Sequence, residues 1–140
     1  MILLDTNVIS ELLRPSPDPA VLAWVSAQDA ETLYVTAVTE AELRYGVAVL
    51  PQGRRKAALS ALVDTVLRED FAGRVLPFDA PAAACYAEIG AARKAAGQPI
   101  SQFDCQIAAI ARASAMTLAT RNRRDFEDCG IEVIDPWHVS

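Results

Sequence analysis

Asp5, Glu42 and Asp104 are carboxylates lying far apart in the chain, and Asn122 with Asp125 forms a further amide and acid pair near its end. Acids from distant segments that meet at one place make the donor set of a hard cation. Magnesium takes oxygen ligands in near-octahedral geometry and keeps several of its waters, so two or three carboxylates suffice to hold it. A cation held this way activates water, orients a phosphodiester and stabilises the charge that builds on its oxygens. Phosphodiester hydrolysis is therefore the chemistry this set suits best. Thr6 and Thr120 offer hydroxyls to hold a water, although either hydroxyl serves equally well as a turn or strand-end group bonded to its own backbone.

Other chemistries lack their parts. Zinc favours histidine and cysteine, and the single histidine, His138, reads as a surface residue of the tail. Serine and cysteine nucleophile schemes fail for want of a placed histidine base. Neither a GxxxxGKS/T nor a GxGxxG phosphate loop is present. The three cysteines, Cys85, Cys105 and Cys129, are odd in number and without CxxC spacing, so they read as small core residues.

The elements that must position these groups alternate between strand and helix. Ile2–Leu4 is a short apolar run that stops at the polar triplet Asp5, Thr6, Asn7. A helix over Val8–Arg14 ends before Pro15 and Pro17, and Asp18 caps another with Pro19 in its first position. Thr32–Thr36 is a β-branched and aromatic strand, Thr39–Leu50 a helix, and Arg54–Phe71 a long amphipathic helix. Strands at Arg74–Phe78, Met116–Thr120 and Ile131–Ile134 are separated by helices from Pro81 to about Ala96 and from Ser101 to Ser114. This alternation predicts an α/β fold: a central, mostly parallel sheet of about five strands with helices on both faces. In such sheets ligands bind beyond the carboxyl ends of the strands. Asp5, Glu42, Asp104, Asn122 and Asp125 all fall at that edge.

Glu42 and Asp104 each stand three residues after a Thr or Ser, Thr39 and Ser101, and so also fit a capping box in the first turn of a helix. Asp5 follows three buried apolar residues with no helix end of its own to cap before Asn7. Burying it unpaired is costly, and a neighbouring cation explains it.

At 140 residues with 52% apolar and 6% aromatic content, one domain over residues 1–140 is expected, with an interior of Ala, Val, Leu and Ile. No apolar run approaches the ~18 residues of a membrane span, so no membrane contact and a cytoplasmic location are expected. The net charge of −5 disfavours a broad grip on nucleic acid, so any RNA contact must be local. Arg54, Arg55 and Lys56, and likewise Arg93 and Lys94, read as solvated helix faces; Arg121, Arg123 and Arg124 lie beside the acids and are the candidate patch.

The phrases MILLDTNVISEL, TEAELRYG, FDCQIAAIA, LATRNRRDF and DPWH, in this order and spacing, resemble the PIN-domain toxins of the VapC family, particularly the FitB-like subgroup. The resemblance spans nearly the whole chain. It implies a PIN-like α/β fold, a magnesium or manganese centre, endoribonuclease activity on RNA, and neutralisation by a cognate antitoxin, with DNA reached only through that antitoxin. The family's first three acids fall on Asp5, Glu42 and Asp104. At the fourth position, where some relatives carry Asp, this chain has Asn122, with Asp125 three residues on. A homodimer is expected by the same analogy, and the helix from Ala80 to Ala96 and the segment Val21–Val25 offer apolar surfaces for the two kinds of partner.

Two rivals from other classes compete. A phosphoacceptor receiver domain shares the length and sheet, but needs paired acids after the first strand and a lysine after the last. A catalytically weak PIN scaffold, kept as a protein-binding or DNA-bound regulatory partner of its antitoxin, is the alternative, because a fold alone does not secure activity.

Overall fold

The computed structural model describes residues 1–139. Five short strands, β1 (Ile2–Leu4), β2 (Leu33–Thr36), β3 (Val75–Leu76), β4 (Thr117–Ala119) and β5 (Val133–Ile134), pair in parallel in the order β3-β2-β1-β4-β5. The chain thus lays β2 and β3 on one side of β1 and then crosses to lay β4 and β5 on the other. The crevice between β1 and β4 is where the strand order reverses, the place at which open parallel sheets bind ligands.

Six α-helices cover both faces: α1 (Thr6–Leu12), α2 (Pro19–Ser26), α3 (Ala37–Ala48), α4 (Arg54–Thr65), α5 (Ala80–Ala95) and α6 (Gln102–Ala113). Successive strand side chains point to opposite faces. Leu3 and Leu118 accordingly enter a core with Ile89, Ile107 and Phe126, while Leu4 and Ala119 enter a second one with Val8, Val21, Val35 and Val63. The α/β architecture expected from the sequence is the one observed. The interior is aliphatic, with Cys105 and Cys129 buried in it and Cys85 half-buried.

Several boundaries differ from expectation. The first helix starts at Thr6, not Val8, and Asp5 is its N-cap, so Asp5 does have a helix end to serve. The helix α3 starts at Ala37, capped by Thr36, whose hydroxyl accepts the Thr39 N–H at 3.0 Å. Thr39 is therefore inside the helix, and Glu42 lies beyond its first turn rather than in a capping box. The long helix expected over Arg54–Phe71 changes pitch at Val66–Asp70, a π turn whose Phe71 N–H donates to the Val66 carbonyl at 2.9 Å. Arg93, expected on a solvated face, is 6% exposed. In the Val21–Val25 segment Val21 is fully buried while Leu22 is exposed, so only part of its apolar surface is free.

Candidate active site

Register brings the first two site residues together. Leu4 pairs with Ala119, so Asp5 and Thr120 leave their strands side by side, and the Asp5 N–H donates to the Ala119 carbonyl at 2.9 Å. Asp5 is 4% exposed, yet its carboxylate is well supplied with donors. Oδ1 accepts the Thr6 N–H at 2.8 Å, and Oδ2 accepts the Thr120 hydroxyl at 2.8 Å and the Asn7 amide at 3.3 Å.

Asn7 is the residue that sequence reasoning missed. Its Nδ2 also donates to Thr120 Oγ1 at 3.2 Å, and its Oδ1 accepts the Arg121 N–H at 3.3 Å, so one amide ties α1 to the loop after β4. The signal was its place as third member of the polar triplet after β1; the partner across the sheet has no trace in local spacing.

Glu42 arrives from α3. Its Oε1 accepts the Thr6 hydroxyl at 2.9 Å, and Thr6 Oγ1 lies 2.9 Å from Thr39 Oγ1. With the Thr36 hydroxyl 3.4 Å from Thr39 Oγ1, hydroxyls run from the fully buried Thr36 and Thr39 out to the Glu42 carboxylate. The neighbouring acid Glu40 is turned elsewhere, accepting from Arg44 at 2.7 Å and Arg68 at 3.3 Å.

Asp104 is in the first turn of α6, where Ser101 Oγ accepts its N–H at 3.2 Å, so the capping reading holds for its backbone while leaving its carboxylate free for other work. Asn122 donates its N–H to Thr120 Oγ1 at 3.1 Å. Asp5, Thr6, Glu42, Asp104 and Asn122 all line one open cleft of about 530 Å³, along with Asn7 and Arg121. Thr120 supports its floor through Asp5. Asp125 does not line the cleft: it sits in the 3-10 turn Arg123–Phe126, exposed, although its charge is felt at Asp104. His138 is exposed and bonded to Asp135 at 2.9 Å, outside the cleft.

The electrostatics follow from this crowding. Burial pushes the Asp5 carboxyl up to about 6, against the pull of its Thr120 and Thr6 donors and with a further push from Asp104 and Glu42. Burial also raises Glu42, opposed by the Thr6 hydroxyl and reinforced by Asp104. Asp104 is raised by burial and by Asp125, against Ser101 and Arg93. Three neighbouring acids held above their ordinary values, chiefly by burial, make a place where positive charge is favoured.

Among the described residues no three His, Cys, Asp or Glu side chains enclose an ion by themselves. A hard dication that keeps most of its waters does not need such a ring, and an all-oxygen donor set suits it. On one side the cleft is bounded by the Arg121 guanidinium, which stands over the Trp137 indole with 5.1 Å to the ring centroid.

A doubly wound parallel α/β sheet with an acidic cleft at its switch point is the class of protein defined so far. The PIN domain family matches residues 2–131. The chain is 47% identical over 137 residues to the VapC ribonuclease Y4jK of Sinorhizobium fredii, covering 98% of each chain, and 46% identical over 138 residues to Toxin FitB of Neisseria gonorrhoeae, covering 99% of each. Among solved structures, one of FitAB bound to the IR36 DNA fragment superposes with a TM-score of 0.94 at 46% identity, covering 100% of this chain and 98% of that one. The chain belongs to the PIN-domain family, in the branch of the VapC and FitB toxins.

Proposed function

We propose that this chain is the toxin of a toxin–antitoxin pair and a metal-dependent endoribonuclease, with residues 1–140 forming one PIN domain. The observation that carries the reading is the meeting of Asp5, Glu42 and Asp104 in one cleft, with the most buried of them, Asp5, resisting ionisation up to about pH 6. These three carboxylates hold magnesium or manganese. When bound, the cation supplies Lewis acidity toward water and toward the phosphodiester oxygens.

The chain's own residues do the rest. The donors on Asp5 from Thr6, Asn7 and Thr120 fix its rotamer, so its carboxylate is aimed before metal or substrate arrives. Thr6 holds Glu42 in place by its hydroxyl. Asn122, at the carboxyl end of β4, takes the fourth position and holds a water by hydrogen bond, while Asp125 tunes Asp104 from outside. Arg121 faces a phosphate of single-stranded or looped RNA, and water is added across a P–O bond of that strand.

The partner is a cognate antitoxin, with DNA reached through it, as the FitAB–DNA structure of the relative supports. An apolar groove of about 850 Å³, lined by Leu13, Leu43, Val47, Leu59 and Leu62, adjoins the acidic cleft and shares Thr6, Arg14 and Glu42 with it. A segment of the antitoxin lying in this groove reaches the acids and blocks them. The protein acts in the cytoplasm, as a homodimer.

The test is expression without the antitoxin, followed by sequencing of new RNA ends, and co-expression with the protein encoded immediately beside it. Discrete new ends and relief of growth arrest on co-expression are expected. Growth arrest with no new RNA ends overturns the nuclease reading.

A further inference from the structure

Arg93 lies in the last turn of α5 and is 6% exposed, yet no carboxylate pairs with it among the described residues. A buried cation without a counter-ion is expensive unless its donors are all met. Here Nε and Nη1 are met by main-chain oxygens of two separate segments. Its Nε donates to the Gln98 carbonyl at 2.7 Å, while Nη1 donates to the Asp125 carbonyl at 3.0 Å and the Glu127 carbonyl at 2.8 Å, with Cys129 Sγ at 3.6 Å. Gln98 returns its own N–H to the Arg93 carbonyl at 2.9 Å.

The two segments are the ones that carry the far wall of the cleft. Gln98 closes the turn that leads to Ser101 and the first turn of α6, where Asp104 sits. Asp125 and Glu127 end the turn that starts at Asn122, and the Asp125 N–H is itself bonded to the Asn122 carbonyl at 3.0 Å. We propose that Arg93 is a positioning residue: its planar fork fixes the spacing between the Asp104 segment and the Asn122 segment, and so sets how tightly the site takes its cation. The inference rests on the metal-centred reading given under Proposed function. Lysine does not replace this arrangement, because a single ammonium at the end of a flexible stem has no rigid fork to span both segments.

Charge alone predicts the opposite outcome, which makes the point testable. Removing a positive charge near a cation site tightens metal binding, whereas losing the fork loosens it. The experiment measures manganese binding calorimetrically, without RNA, to the purified protein and to Arg93→Lys and Arg93→Met, at a temperature where melting curves show all to be folded. Val21→Ala, on the opposite face of the sheet, serves as a destabilised control. The expected result is about tenfold or greater weakening in both Arg93 variants, with the control unchanged.

A second measurement needs no variant. Linkage is reciprocal, so saturating magnesium slows hydrogen exchange at the Arg93 Nε–H of the unaltered protein, read by NMR. Unchanged manganese affinity in Arg93→Lys, tighter binding in Arg93→Met, or an Arg93 exchange rate indifferent to magnesium each overturns the positioning role. Absence of any metal binding by the unaltered protein instead overturns the metal-centred reading itself.

Discussion

The Thr120 hydroxyl donates to Asp5 Oδ2 at 2.8 Å across the crevice between β1 and β4, joining residues 115 positions apart in the chain. The same oxygen, Thr120 Oγ1, accepts from the Asn7 amide and the Asn122 N–H. One fully buried hydroxyl therefore sets the rotamer of the innermost carboxylate and anchors the loop that carries Asn122.

Replacing that hydroxyl by a methyl, Thr120→Val, keeps the volume and strips three contacts. The cost to stability is expected to be about 1–3 kcal/mol, the penalty for leaving buried polar partners unpaired, and RNA cleavage should fall at least tenfold. Thr120→Ser should restore most of both. Denaturant melts and cleavage rates on the same preparations check this; full activity in Thr120→Val would mean that Asp5 needs no fixing.

The raised Asp5 carboxyl links metal to pH. Its folded value of about 6 lies above the ordinary 3.8, so the stability it contributes is complete below the ordinary value and is lost as pH rises through about 6. Glu42 and Asp104 are raised as well and act in the same direction. In EDTA these acids should therefore destabilise the fold more at pH 7.5 than at pH 5. Magnesium should offset this at pH 7.5, by about 2.7 kcal/mol when present at roughly 100 times its Kd, and much less at pH 5, where protons compete for the same oxygens. Melting curves at the two pH values, with and without magnesium, decide it; an equal gain at both would contradict the link.

The position after β4 separates two acidic-site arrangements. Asn122 lines the cleft and Asp125 does not, so Asn122→Ala should raise the magnesium needed for half-maximal cleavage, whereas Asp125→Ala should leave it nearly unchanged. Because Asp125 raises Asp104, its removal should move the acid limb of the pH–rate profile to lower pH. Magnesium titrations that shift strongly with Asp125→Ala and not with Asn122→Ala would reverse the assignment.

Much of this arrangement was legible in the chain because it depends on local pattern. The stop from Leu4 to Asp5 and the Ser101–Asp104 spacing place acids at strand and helix ends, and the alternation of strand and helix dictates a parallel sheet. What was not legible depends on contacts across the sheet. Asn7 looks like an ordinary turn residue until Thr120 and the Arg121 N–H are beside it. Thr39 looks like a cap because Thr36, a strand residue by its neighbours, takes that role instead. Arg93 reads as surface charge, since nothing in its spacing reveals that the Asp125 and Glu127 carbonyls, 32 and 34 residues on, take its Nη1 donors.

Two basic residues line the cleft, Arg14, which is paired with Glu11, and Arg121, which is not paired with an acid among the described residues; Arg123 and Arg124 are exposed outside it. Arg121→Ala is expected to raise KM for RNA far more than it lowers kcat. It should also reduce the salt dependence of single-stranded RNA binding by about 0.7 in the slope of log K against log salt, the share of one phosphate contact. Arg124→Ala should leave that slope as it is. Binding isotherms across salt concentrations provide the check, and identical slopes for all three proteins would remove Arg121 from the RNA path.

If the carboxylates in the cleft act through a divalent cation to hydrolyse RNA, cleavage must depend both on that cation and on their charge. The most direct measurement is cleavage of a labelled RNA by the purified, antitoxin-free protein in magnesium and in EDTA, beside Asp104→Asn, which keeps the backbone bond to Ser101 Oγ and removes only charge. Cleavage in magnesium, none in EDTA, and a loss of about 100-fold or more in Asp104→Asn with its melting temperature maintained are expected. Equal cleavage in EDTA, or an Asp104→Asn protein as active as the unaltered one, would contradict this dependence.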